Sequence, residues 1–162
     1  MRLGKQAETA ESLASQAAKV EANSITAPDF GHLVWIPKLE WWEGSVNLYS
    51  PQPFALSVFS RDDPNRGISD DARNAFRRLA AMEAQVRAYA ALQLTASYNR
   101  EWSDGKIVTE SEFARRRIPD SIEIHEQGYA EFHFKDAGLF SGHGVGVRIK
   151  ADGSFQEAVM EG

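Results

Sequence analysis

From Ser69 to Trp102 the chain has neither glycine nor proline, and the next breaker is Gly105. Within this stretch Ala72, Phe76, Leu79, Met82, Val86, Tyr89 and Ala90 recur at three- and four-residue intervals, while Arg73, Arg77, Arg78 and Arg87 fall off the stripe. That is the pattern of a helix with one buried face. Ser69 suits an N-cap, and Asp70 and Asp71 stand in the first turn, where the helix dipole favours negative charge. The pattern predicts one helix near Ser69 to Ser97, roughly 40 Å long at 1.5 Å per residue. Phe76, Leu79, Met82, Val86 and Tyr89 should be buried. Alanines 80, 81, 84, 88 and 91 allow another element to approach closely.

The segments on either side read as strands. Phe30 to Ile36 is dense in β-formers and stops at Pro37, Trp41-Trp42-Glu43-Gly44 leads into Val46 to Tyr49, and Phe54, Leu56 and Val58 alternate with Ala55, Ser57 and Phe59. With Arg61 to Gly67 as a turn, these make a three-strand meander. Beyond Asp104-Gly105, Thr109-Glu-Ser-Glu112 fits a capping box and opens a short helix to about Arg116, which Pro119 closes. Ile122–Glu126, Ala130–Lys135, Val145–Lys150 and Phe155–Met160 follow as a four-strand meander with hairpin-length connections. Without βαβ alternation a doubly wound parallel sheet is not expected. The fold class is α+β: an antiparallel sheet with the long helix packed on it. Residues 28–162 form a single domain, preceded at 1–24 by a thin Leu13/Ala17/Val20 stripe. That stripe suits a loosely docked or self-associating helix, or a flexible segment.

Composition narrows the functional classes. At 162 residues, with 43% hydrophobic and 25% charged, a folded chain buries roughly 70% of the surface it exposes when unfolded. A net charge of −5 gives a polyanion little to find, and the one basic run, Arg115-Arg116-Arg117, sits where it complements a helix C-terminus. No nucleic acid is expected as a partner. The absence of cysteine excludes disulfides and thiolate sites. No apolar run approaches the ~20 residues of a membrane span, and none resembles a secretory signal, so a cytoplasmic location is expected. No signature of a bound cofactor is present.

Three sites invite chemistry. Pairing Ile124 with Phe132 and Ile122 with Phe134 keeps both apolar sets on one face, and sets His125 opposite Glu131 and Glu123 opposite His133. Two imidazoles and two carboxylates within about 5 Å form a candidate metal set; cross-strand pairs on a solvated face are the simpler reading. His143, boxed by Gly142 and Gly144 with Asp136 at the preceding turn, has the ingredients of a general base. No nucleophile elbow accompanies it, so an imidazole pinning a tight loop is favoured over a small hydrolase or metal-dependent enzyme using His143 and Asp136. The tandem Trp41-Trp42 should point to opposite faces of a strand and place one ring outward as a binding anchor.

Tyr98-Asn99-Arg-Glu-Trp102, Ser111-Glu112-Phe113, Ser121-Ile-Glu-Ile124, Glu131-Phe-His-Phe-x-Asp136 and Leu139-Phe140-Ser-Gly142-His143 together resemble an uncharacterised bacterial family of small α+β domains. Its members pair a YN-x-x-W stretch with a later D-x-x-L-F-x-G-H stretch. Trp41-Trp42-Glu-Gly44-Ser-Val46 is similar to that family's earlier aromatic–glycine strand, and Ser141 stands where an aromatic is frequent. The resemblance spans roughly residues 30–162. It implies an α+β fold and a binding role of the immunity type, in which a small protein occludes a toxin. The expected function is therefore a protein-binding module that neutralises a basic toxin, with a small enzyme as the alternative.

Overall fold

The computed structural model describes residues 23–48, 52–60 and 67–161. The expected N-terminal helix with its self-association, and all but the last residue of the Arg61–Gly67 turn, lie outside the described residues. The described chain runs β1 (Ser24–Ala27), β2 (Gly31–Ile36), β3 (Trp41–Val46), β4 (Phe54–Phe59), α1 (Asp70–Glu101), α2 (Glu110–Arg116), β5 (Ile118–Ile124), β6 (Ala130–Lys135), β7 (Gly144–Ile149) and β8 (Phe155–Glu161). All eight strands form one sheet in sequence order. The α+β class and a mostly antiparallel sheet are thus present, with two corrections to the meander. The first meander has four strands, because Ser24-Ile-Thr-Ala27 pairs with β2. More consequentially, β4 and β5 pair in parallel, Ser57 beside Glu123 and Val58 beside Ile124. The helical crossover supplies the long connection that parallel neighbours need.

α1 extends one turn beyond the expected end, to Glu101, and packs on the short helix and, among the strands, mainly on β8. Phe76, Leu79 and Val86 are buried in the core with Leu56, Ile122 and Phe132, while Met82 and Tyr89 are half-buried against it. Tyr89 stacks at 4.5 Å on Phe155 of the terminal strand, where the sheet ends and cover is incomplete. α2 packs on α1, and its capping box is complete: Thr109 Oγ1 accepts from the Glu112 N–H, and Glu112 accepts from the Thr109 N–H. Pro119 falls inside β5, where the register shifts between Pro119 and Ser121, an irregularity that accommodates its missing donor.

The β5–β6 register is displaced by two residues from the expected one. Ile122 opposes Phe132, Ile124 opposes Ala130, and Glu123 opposes Glu131. A two-residue slip leaves every side chain on its original face, so alternation cannot detect it. The turn decides instead. The His125 N–H donates to the Tyr129 carbonyl, the Gly128 N–H donates to the His125 carbonyl, and Gly128 adopts φ +81. The turn is pinned to the helix start. Ser69 Oγ accepts from the Ala72 N–H at 3.1 Å and donates to the Glu126 carbonyl at 2.8 Å, and a Cβ on Gly128 would stand 3.2 Å from the Asp71 carbonyl.

One hydroxyl thus caps the longest helix and ties it to the hairpin. Ser69→Ala should lower unfolding stability by about 1–2 kcal/mol, read as a fall in the urea midpoint with an unchanged slope. A loss no greater than that of Ser97→Ala, whose Oγ only donates back to the Leu94 carbonyl, would show that the tie carries no stability.

Candidate functional site

Alternation divides the sheet into a helix-covered face and an opposite face that neither described helix covers. On the opposite face Val34, Glu43, Ser57, Glu123, Glu131, Arg148 and Glu157 are successive cross-strand partners from β2 to β8. The row beside it, Ser45, Ala55, Ser121, His133, Gly146 and Val159, is small except at His133. The imidazole therefore lies in a trough between larger neighbours.

Three carboxylates surround that imidazole. Its Nδ1 is 2.8 Å from Glu161 Oε2, and its Nε2 is 3.7 Å from Glu123 Oε1 and 3.8 Å from Glu131 Oε2. Nε2 is buried without a hydrogen-bond partner. Glu161 reaches inward only because Gly146 has no side chain: a Cβ there would stand 2.2 Å from Glu161 Oε1. The other oxygen of Glu131, Oε1, accepts from Arg148 Nε at 2.8 Å and from the Tyr129 hydroxyl, and Arg148 also donates to Glu157 at 2.6 Å. Burial pushes the Glu131 carboxyl up, but the Tyr129 and Arg148 donors outweigh it and hold the group below its ordinary range. Burial and the bond to Glu131 push the Tyr129 phenol well above its usual value. Beside this cluster opens a pocket of about 430 Å³ reaching Asp120, Lys135 and Gly144.

His125, expected in the same set, lies past the end of β5 and turns to aromatic company. It stacks on Phe59 at 4.4 Å and tilts against Tyr129 at 4.8 Å, while Trp41 meets Phe59 edge-on at 4.8 Å. Burial lowers its pKa, against the pull of Glu123 and Glu131. Trp41, Phe59, His125 and Tyr129 thus make a continuous ring ladder beside the acidic row. The tandem tryptophans do point oppositely. Trp42 is buried against Trp35, whereas Trp41 lies half-buried on the open face, its indole N–H donating to Glu43 at 2.8 Å.

In the Asp136–Gly144 loop the carboxylate holds the turn. Asp136 accepts from the N–H groups of Leu139 at 2.7 Å, Phe140 at 2.9 Å and Gly142 at 2.6 Å. His143 packs edge-on to Trp102 at 5.8 Å, and among the described residues no hydrogen bond joins it to Asp136. Arg117 was hidden in the basic run. It is 1% exposed, its guanidinium lies 4.6 Å over Phe113 and 5.8 Å over Phe140, and none of the guanidinium nitrogens has a hydrogen-bond partner. Burial lowers its pKa to about 10, with Asp136 countering. Glu161, Arg148 and Tyr129 were also missed. The alternation of β8 and the paired Gly144 and Gly146 were the available signals for Glu161; nothing marked Arg117 as buried.

Fold and site define an α+β protein whose sheet keeps one face for charged and aromatic side chains. Residues 27–160 match the model of a family described as an uncharacterized protein conserved in bacteria, DUF2262, and the chain belongs to that family. No curated protein and no solved structure matches the chain. No described helix is long and apolar enough to cross a membrane.

Asp136 supplies a pH signature. Burial raises its pKa, but the Phe140, Gly142 and Leu139 N–H groups and the Arg117 charge prevail and hold it below the ordinary carboxylate value. The stability this confers is present above the unfolded pKa, near 3.9, and is lost as pH falls through the lower folded value. Asp136→Asn should destabilise at pH 7 and flatten the decline in melting temperature below about pH 4. A variant retaining the full acid decline would show that other carboxylates set it.

Proposed function

We propose that the protein is a binding module of the immunity type, acting in the cytosol, which recognises a basic protein through the open face of its sheet. The observation that supports this reading is the ring ladder of Trp41, Phe59, His125 and Tyr129 running beside the glutamates of the central row. Aromatic faces accept lysine and arginine heads, and the carboxylates speed encounter with a cationic surface. The chain's net charge of −5 favours the same partner. The hydrolytic alternative has less behind it, since both oxygens of Asp136 are engaged by its own loop.

The test is affinity capture from the native host with the immobilised full chain at moderate salt. Wild type should retain a basic protein and lose it as ionic strength rises. Trp41→Ala should cost more than about 1 kcal/mol of binding, and Glu43→Lys should weaken capture further at low salt. Leu92→Ala, on the exposed face of α1, should bind like wild type. Equal capture by all variants, or a captured partner without basic surface, overturns the proposal.

A further inference from the structure

The His133 cluster poses a problem that recognition of a basic partner does not solve. Glu123 and Glu131 are direct cross-strand partners, and like charges so placed repel. Arg148 relieves only one side, because its guanidinium is shared between Glu131 and Glu157. Lys135, which lines the adjoining pocket, pairs with Asp120 at 3.2 Å. Glu123 therefore faces the imidazole edge beside an already paired Glu131.

The imidazole is oriented for a ligand's task. A carboxylate on Nδ1, here Glu161 at 2.8 Å, fixes the tautomer that leaves Nε2 with its lone pair free. This is the arrangement behind metal-bound histidines. That lone pair is buried, has no hydrogen-bond partner, and faces two carboxylate oxygens at 3.7 and 3.8 Å. Those separations are too long for hydrogen bonds. A tetrahedral ion with arms of ~2.1 Å holds its ligand atoms about 3.4 Å apart, so a cation fits between these three with small adjustment. Glu131 is prepared in the same sense: Oε1 is engaged by Arg148 and Tyr129, and Oε2 is the oxygen turned toward Nε2. The ligand atoms of Glu123, Glu131 and His133 all lie within 4.8 Å of one another, and the adjoining pocket leaves room for a water or further ligand.

We infer that Nε2 of His133, with Glu123 and Glu131, binds one divalent first-row metal ion, and that Glu161 is the positioning carboxylate behind the histidine. One imidazole with two carboxylates suits Zn²⁺ or Mn²⁺ better than Ca²⁺. His125, stacked on Phe59, takes no part.

The experiment is calorimetric titration of the chelator-stripped full chain with Zn²⁺ and, separately, Mn²⁺ at pH 7. One equivalent of at least one ion should bind, with a dissociation constant below about 10 µM. His133→Ala should abolish this binding, and His32→Ala, a control at an exposed histidine, should not change it. Glu161→Gln should weaken binding by about 10–100-fold while the metal-free melting temperature stays near wild type. Gly146→Ala, which displaces only the end of the Glu161 side chain, should do the same. Failure of wild type to bind either ion, or equal affinity in wild type and His133→Ala, overturns the inference and leaves His133 as a simple countercharge. Because the partner-binding test reads Trp41 and Glu43, either proposal fails independently of the other.

Discussion

The parallel pairing of β4 with β5 is the joint on which the architecture rests. On each side of it the chain forms hairpin-connected antiparallel strands, β1 to β4 and β5 to β8. Either group alone would be a small sheet with one exposed apolar face. Joined, they share a single core that α1 and α2 cover. The joint also makes the open face continuous: Ser57 to Glu123 links the two halves of the polar row, and Phe59 to His125 links the two halves of the ring ladder. Both candidate surfaces therefore depend on the crossover bringing β5 alongside β4 in a fixed register.

That register is held from the helix side. α1 delivers its N-terminus to the β5–β6 turn through Ser69 and the close approach at Gly128. Its far end packs Tyr98 edge-on to Phe140 at 5.5 Å, and Phe140 also meets Phe113 of α2 and Trp102. Arg117 is embedded in this aromatic group, over Phe113 and Phe140. Its carbonyl accepts from Arg87 of α1. A buried guanidinium without hydrogen bonds is costly, and the ring faces together with the nearby Asp136 charge offset part of that cost. The Asp136 loop, closed on itself by its own N–H groups, is thus tied by charge to Arg117 at the end of α2.

Local signals carried much of this into the sequence. The helix, its Ser69 cap, the Thr109 box and the inward faces of Ile122, Ile124, Phe132 and Phe134 all follow from nearest-neighbour chemistry, and all are present. The parallel joint does not follow, because a strand's pattern does not state its neighbour. The β5–β6 register escaped for a related reason: alternation is blind to a slip of two, so His125 was matched with Glu131 when the turn geometry places it on Phe59. Glu161 stands 28 residues from His133 and reaches it only through β6–β7–β8 pairing, which no local motif encodes.

The same long-range pairing explains why the open face is polar in this particular way. A sheet face left to solvent needs only scattered polar residues, with opposite charges opposed across strands. Here glutamate opposes glutamate at Glu123 and Glu131, and a glycine at 146 clears the path for a third carboxylate, Glu161, to reach one histidine. Each feature raises the local negative charge rather than diluting it. Solubility alone does not ask for that arrangement, since Lys or Thr at 123 would serve it without repulsion. A cationic occupant does ask for it. On the reading proposed above, a partner's basic side chain would meet the rim near Glu43 and Trp41, whereas a metal ion would take the trough where the His133 Nε2 and two carboxylates converge. The two proposed occupants would thus divide one face between them, the partner at the aromatic ladder that Phe59 and His125 join and the metal at the carboxylates around His133.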